Sequence, residues 1–151
     1  MSRTAYTDGA CRISNPGVCS CAWVLYDNNV EEAFGCQYLG PELHTNNFAE
    51  YQGLLGLLRW LYEQYITDVL IHSDSALIVN QVNQVWSADN KPELKKFMVE
   101  AYGLLTAGHH KLVHVRGHGK NENATDNARN GRADELCNKV LDEKGIYAGK
   151  N

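Results

Sequence analysis

Several features are missing from this 151-residue chain. No stretch reaches the roughly 20 apolar residues that span a bilayer. The first residues, "MSRTAYTDG", lack the apolar run of a secretion signal. Positive charge is not in excess: 14 Lys and Arg stand against 18 Asp and Glu, a formal net charge of −4. The first two absences make a soluble, cytoplasmic protein with no membrane partner the expectation. The third excludes a simple basic coat for nucleic acid. It leaves room for a nucleic-acid enzyme, because clustered carboxylates push the total negative while their metals bring positive charge. The five cysteines are an odd count. A chain this long buries a core without staples, so all five are expected as reduced thiols. Cys19 and Cys21 point the same way along a strand-like run and read as small buried hydrophobes. There is no internal repeat and no linker, so residues 1–151 are expected to form one domain.

What is there alternates in a readable way. "RTAYTDGACRI" (3–13) reads as a strand, and "SNPG" (14–17) as a turn built on Pro16 and Gly17. "VCSCAWVLYD" (18–27) is a buried strand, "NN" (28–29) a turn, and residues 30–39 a returning strand. A helix is predicted over 45–63, with Phe48, Tyr51, Leu55, Leu58 and Tyr62 on one stripe, widened by Leu54, Leu57 and Leu61. "DVLIHS" (68–73) is a fourth strand and "SALIVNQV" (75–82) a short helix. Pro92 opens a helix to about residue 106, capped by Asp89 or Asn90. "HKLVHVRG" (110–117) is a fifth strand, and "HGKNENATDNARNG" (118–131) has loop composition. "RADELCNKVLDEK" (132–144) closes as a helix before a short tail, 145–151. The order βββαβααβα is that of a mixed-sheet α/β domain.

Four carboxylates need explaining. Glu50 stands three residues after Asn47, as in a capping box, yet it shares a face with Gly53, Leu54, Leu57 and Leu61. Asp8 precedes Gly9 inside a strand pattern; such a glycine marks a bulge or a close backbone approach. Asp74 follows the apolar strand and also suits the N-cap of the next helix. Asp134 falls in the first turn of the last helix, where the macrodipole favours an acid. An α/β fold can bring such places together at one end of its sheet. Carboxylates crowded there raise one another's pKa values unless divalent cations relieve the repulsion. Magnesium suits an all-oxygen site shared with phosphate.

"YTDGACRISNPG", "TNNFAEYQGLL", "HSDSALIVNQV" and "VRGHG…NGRADELCN" resemble, in order, the four active-site blocks of the type 1 ribonuclease H family. The resemblance runs over about residues 3–144. It implies a ribonuclease H-like α/β fold: a five-stranded mixed sheet in order 3-2-1-4-5 with helices on both faces. It implies a monomeric endonuclease that cleaves the RNA strand of RNA–DNA hybrids with two Mg2+ ions, Mn2+ substituting, and leaves 5′-phosphate and 3′-hydroxyl ends. No obligate protein partner is implied. Asp8, Glu50, Asp74 and Asp134 fall on the family's catalytic and metal-binding acids, and His118 on its mobile-loop histidine. Thr45, Asn46 and Asn47, the backbone of Gly9 to Cys11, and Asn15 and Asn80 become candidate hybrid contacts. His72, His109, His110 and His114 match no catalytic block and read as structural or surface residues.

The resemblance also has departures. After Asp74 the chain lacks a long basic protrusion and offers only Trp86, Lys91, Lys95 and Lys96 before and within the next helix. Hybrid affinity is therefore expected to be modest and salt-sensitive. Ala76 stands where some relatives carry a hydrogen-bonding Gln. The segment after His118 is long and is expected to be flexible, with Glu122 and Asp126 as solvated acids. Two competing readings are another nuclease on the same fold and a non-catalytic hybrid-binding module. The asparagines before Glu50 favour the hybrid-specific family, and the full set of four acids disfavours the module.

Overall fold

The central strand of the sheet is β1 (Arg3–Arg12), whose Ala5 to Asp8 are all buried. The computed structural model describes residues 2–84, 87–89 and 91–147. A hairpin returns β1 as β2 (Val18–Asp27), antiparallel, with Asp8 opposite Ala22. Between β2 and β3 (Val30–Tyr38), Asn28 and Asn29 take φ of 49° and 72°. Asparagine tolerates that left-handed backbone, which a two-residue hairpin loop with the natural strand twist requires. β4 (Val69–Ser73) runs parallel to β1 on its other side, with Thr7 opposite Ser73. β5 (Lys111–His114) runs parallel to β4. The spatial order is β3-β2-β1-β4-β5, as the resemblance implies.

Each face of the sheet is covered by a long helix. α1 (Asn46–Glu63) lays Leu54, Leu57, Leu58 and Leu61 over Ala5, Leu25 and Ile71. α2 (Ala76–Val82) and α3 (Pro92–Ala107) extend that layer through Ile78, Leu94 and Leu105. α4 (Ala124–Glu143) covers the opposite face, where Ala133, Leu136 and Cys137 meet Tyr6, Val24 and Val115. Tyr62, counted on the α1 stripe, points outward and is exposed. None of the described helices is long and apolar enough to cross a membrane.

Several local expectations are corrected. The cap of α1 is Thr45, whose Oγ1 accepts from Phe48 N at 3.1 Å, so Glu50 is not part of a capping box on Asn47. Ser75, not Asp74, caps α2. Lys91 occupies the cap position of α3, where Pro92 needs no partner for an absent N–H; Asn90 and Trp86 lie outside the described residues. α4 begins at Ala124, well inside the expected loop. Asn123 caps it, accepting from Thr125 N at 2.8 Å. Its polar first turns are held by tertiary contacts: Asp126 accepts from Tyr6 Oη, and Arg129 lies 4.0 Å from the Tyr26 ring and donates to Thr4. Such contacts override weak helix propensity. The expectation of five reduced thiols also fails, because Cys11 and Cys19 form a disulfide. They are opposite one another across the β1–β2 hairpin, a relation invisible along either strand alone. Cys21, Cys36 and Cys137 remain free.

The α1–α2 junction matters because α2 directly follows Asp74. Tyr51 Oη donates to Gln81 Oε1 at 2.7 Å, and both residues are buried. A Tyr51→Phe substitution would leave the Gln81 oxygen unpaired inside the protein. The expected loss is about 1–3 kcal/mol, read as a lower urea midpoint with an unchanged m-value.

Candidate active site

Three elements bring three acids together. β1 carries Asp8, and β4 pairs with it in parallel so that Asp74, one residue past Ser73, emerges beside it. α1 supplies Glu50 by crossing β1 with almost no gap. A Cβ built at Gly9 would lie 2.5 Å from Glu50 N and 2.6 Å from Ala49 O. A Cβ at Gly53 would lie 2.6 Å from Asp8 O. The close approach signalled by Gly9 is therefore that of a helix backbone. Ligand oxygens of Asp8, Glu50 and Asp74 all lie within 4.8 Å of one another.

The fourth acid arrives from the other face. Asp134 sits well inside α4 rather than in its first turn, so the macrodipole does not account for it. It is exposed, and its charge is among those that raise the Asp8 carboxyl. One turn earlier on α4, buried Asn130 donates to Asp74 Oδ2 at 3.4 Å. Sequence reasoning missed Asn130 because its segment has loop composition. An Asn four residues before Asp134 on one helix face was the available signal.

The electrostatics are those of a site built for cations. Burial, then the charges of Asp74 and Asp134, push the Asp8 carboxyl well above the usual carboxylate range. Burial, then Asp8 and Asp74, do the same to Glu50. Glu50 is partly exposed as a residue, but its Oε1 is buried and has no protein hydrogen-bond partner. Convergent hard oxygens with one unsatisfied buried oxygen among them fit a divalent cation such as Mg2+ or Mn2+.

The remaining candidates fall into two groups. Asn15 Oδ1 accepts from Asn46 N at 2.9 Å, and Gly17 and His44 exchange backbone hydrogen bonds of 2.9 and 2.8 Å. These bonds fasten the Asn15 turn to the start of α1 and gather Asn15, Thr45, Asn46 and Asn47 at one place. Cys11 offers only its backbone, since its sulfur is in the disulfide. Asn80 turns onto its own helix and donates to Ala76 O at 2.8 Å. His118 is exposed on the loop after β5, with φ of 57°. That loop closes over Asp74: a Cβ at Gly117 would be 3.0 Å from Asp74 Oδ2. His72 and His110 are structural. His72 is buried and stacked on Tyr6, and His110 Nδ1 accepts from Val69 N at 3.0 Å.

The ribonuclease H family profile, described as RNase H, matches residues 1–142. Ribonuclease HI of Halobacterium salinarum is 34% identical over 142 residues; the match covers 92% of this chain and 64% of that protein. Ribonuclease H of Chlorobium phaeovibrioides is 33% identical over 153 residues, covering 93% of this chain and 96% of the relative. Among solved structures, the Halobacterium salinarum ribonuclease H1 superposes with a TM-score of 0.79 at 33% identity, covering 95% of this chain and 99% of that one. LC11 ribonuclease H1, solved in complex with an RNA/DNA hybrid, gives 0.78 at 27% identity, with coverage of 95% and 99%. A mixed sheet in this order with an acid cluster at the β1–β4 ends defines an α/β domain equipped for cation binding. The chain belongs to the ribonuclease H family.

The raised pKa values have a consequence for stability. A carboxyl whose folded pKa exceeds its unfolded value favours folding at low pH, and that advantage is lost as pH rises through the folded value. At neutral pH the metal-free site is therefore a source of instability. Asp8→Asn should raise the metal-free melting temperature at pH 7 by about 3 °C, on the order of 1 kcal/mol. The gain should shrink toward acidic pH, and Mg2+ should raise the wild-type Tm more than that of the variant. Calorimetry with and without chelator checks all three.

Proposed function

We propose that this protein is an endonuclease that hydrolyses the RNA strand of RNA–DNA hybrids with two divalent cations, leaving 5′-phosphate and 3′-hydroxyl ends. One observation carries the reading: Asp8, Glu50 and Asp74 converge within 4.8 Å in a chain of the ribonuclease H family. The hybrid bound to the LC11 relative supports the substrate class.

Asp8, Glu50, Asp74 and Asp134 would hold the cations, with Asp134 serving the attacking water and Glu50 and Asp74 the departing oxygen. Bound there, Mg2+ supplies activation of water and stabilisation of the departing 3′ oxygen. Asn130 donates to one Asp74 oxygen and so restricts how that carboxylate turns. Glu50, with an unpartnered oxygen, would also meet the ribose 2′-hydroxyl, the group that separates RNA from DNA. Asn15, Asn46 and Asn47 present amides that both donate to and accept from sugar and base edges. Thr45 and the backbone of Gly9 to Cys11 complete the candidate contacts. His118, on its exposed loop, shuttles a proton or helps product leave, as an imidazole can do either.

The test offers RNA–DNA hybrid, double-stranded DNA and single-stranded RNA, each with Mg2+ and with Mn2+. Hybrid should be cut in its RNA strand and the other two left intact. Asp8→Asn should lower cleavage by about 10³-fold or more, the scale of losing one electrostatic element of a transition-state site, while keeping hybrid binding. Preferential cleavage of DNA, or hybrid binding without cleavage by wild type, overturns the proposal.

A further inference from the structure

The loop that carries His118 is closed at its base by two asparagines. Asn121 covers both backbone groups of Arg116: its Oδ1 accepts from Arg116 N at 2.8 Å, and its Nδ2 donates to Arg116 O at 2.6 Å. Asn127 treats Asn121 the same way. Its Oδ1 accepts from Asn121 N at 2.9 Å, and its Nδ2 donates to Asn121 O at 3.0 Å. Asn121 Nδ2 also reaches Asn127 Oδ1 at 2.9 Å. Two amide side chains in series thus pair with backbone as a neighbouring strand would. Between the pinned ends, Gly117 to Lys120 form a short lasso in which His118 and Gly119 take φ of 57° and 71°.

Both ends of this clasp are anchored in the active-site framework. Arg116 follows Val115, whose N–H donates to Ser73 O at 2.9 Å, next to Asp74. Asn127 lies in the first turn of α4, which Asp126 fastens to Tyr6 on β1, two residues before Asp8. The clasp therefore ties His118 to the two strands that carry Asp8 and Asp74.

We propose that Asn121 and Asn127 are positioning residues for His118. By closing the lasso they restrict where the imidazole travels and hold it next to Gly117, which abuts Asp74. Neither side chain needs to touch substrate or cation. The inference rests on the ribonuclease reading only for what His118 does; the clasp itself does not depend on it. Restricting a reacting group is worth a large factor in rate, and a displacement of about 1 Å can cost about 10²-fold.

The test is a double-mutant cycle with His118→Ala, read as hybrid cleavage. Asn121→Ala and Asn127→Ala should each lower kcat by about tenfold with KM changed less than about twofold. In the His118→Ala background the same changes should alter kcat by less than about twofold. Unchanged kcat in the single variants, or the same tenfold loss without His118, overturns the proposal. Asn127→Ala leaves Asn121 in place and carries the test if Asn121→Ala does not fold. A second readout needs no activity: amide exchange at Arg116 and Asn121. Both amides should be protected in wild type and exchange at least about tenfold faster in Asn127→Ala. Unprotected amides in wild type, or unchanged exchange, overturn the clasp. If wild type cuts no hybrid with either metal, the ribonuclease reading fails, and the exchange result alone decides the clasp.

Discussion

Carboxylates crowded into a half-buried corner repel one another, and the surrounding architecture works against that repulsion. Asp8, Glu50 and Asp74 come from a central strand, a helix on one face and a neighbouring parallel strand. None can retreat without disturbing its own element. Asp8 is fixed by its pairing with Ala22 on β2 and by its neighbour Thr7, which lies opposite Ser73 on β4. Glu50 is fixed by a helix whose leucines fill the larger core. Asp74 is followed at once by the capped turn of α2. The free energy of ordinary apolar packing thus holds like charges at short range, where divalent cations can relieve them.

The two faces of the sheet contribute differently. The α1 face supplies most of the apolar burial together with Glu50. The α4 face is smaller and more polar, and it supplies Asn130, Asp134 and the anchor of the His118 loop. Its contacts with the sheet are correspondingly specific: Tyr6 to Asp126, Arg129 to Tyr26 and Thr4, and Ser20 Oγ to Cys137 O at 2.7 Å. Such polar contacts set register and direction more than bulk stability. One face contributes bulk and the other orientation, and Asp8 lies between them.

Much of this was legible from residue order. Apolar periodicity over 45–63 and 92–106, and the largely apolar run at 18–26, located α1, α3 and β2 to within a few residues. Glu50 stood out on a leucine face and Asp8 inside a strand pattern, whereas Asp74 and Asp134 sat where helix starts favour an acid and stood out only as members of the set. Caps were less legible, since Asn47 and Asp74 are as plausible chemically as Thr45 and Ser75, and Lys91 holds its cap position without any side-chain cap bond. The start of α4 was hidden because Asn, Thr and Gly dominate "NATDNARNGR", and its support comes from Tyr6 and Tyr26 more than a hundred residues away. With that start misplaced, Asn130 and the asparagine clasp could not be found. The Cys11–Cys19 bridge required a cross-strand register that a single strand does not reveal.

The seam between β1 and α1 has a consequence for descent. Gly9 and Gly53 let two backbones touch where no methyl group fits. Neither residue carries charge or chemistry, yet both are as hard to replace as an acid, because every heavier side chain prises the helix from the strand. A lineage could abandon catalysis by exchanging Asp8 and remain folded, whereas exchanging either glycine would erode the scaffold itself. Homologues that have lost their activity should therefore still carry this pair of glycines as the more durable mark of ancestry.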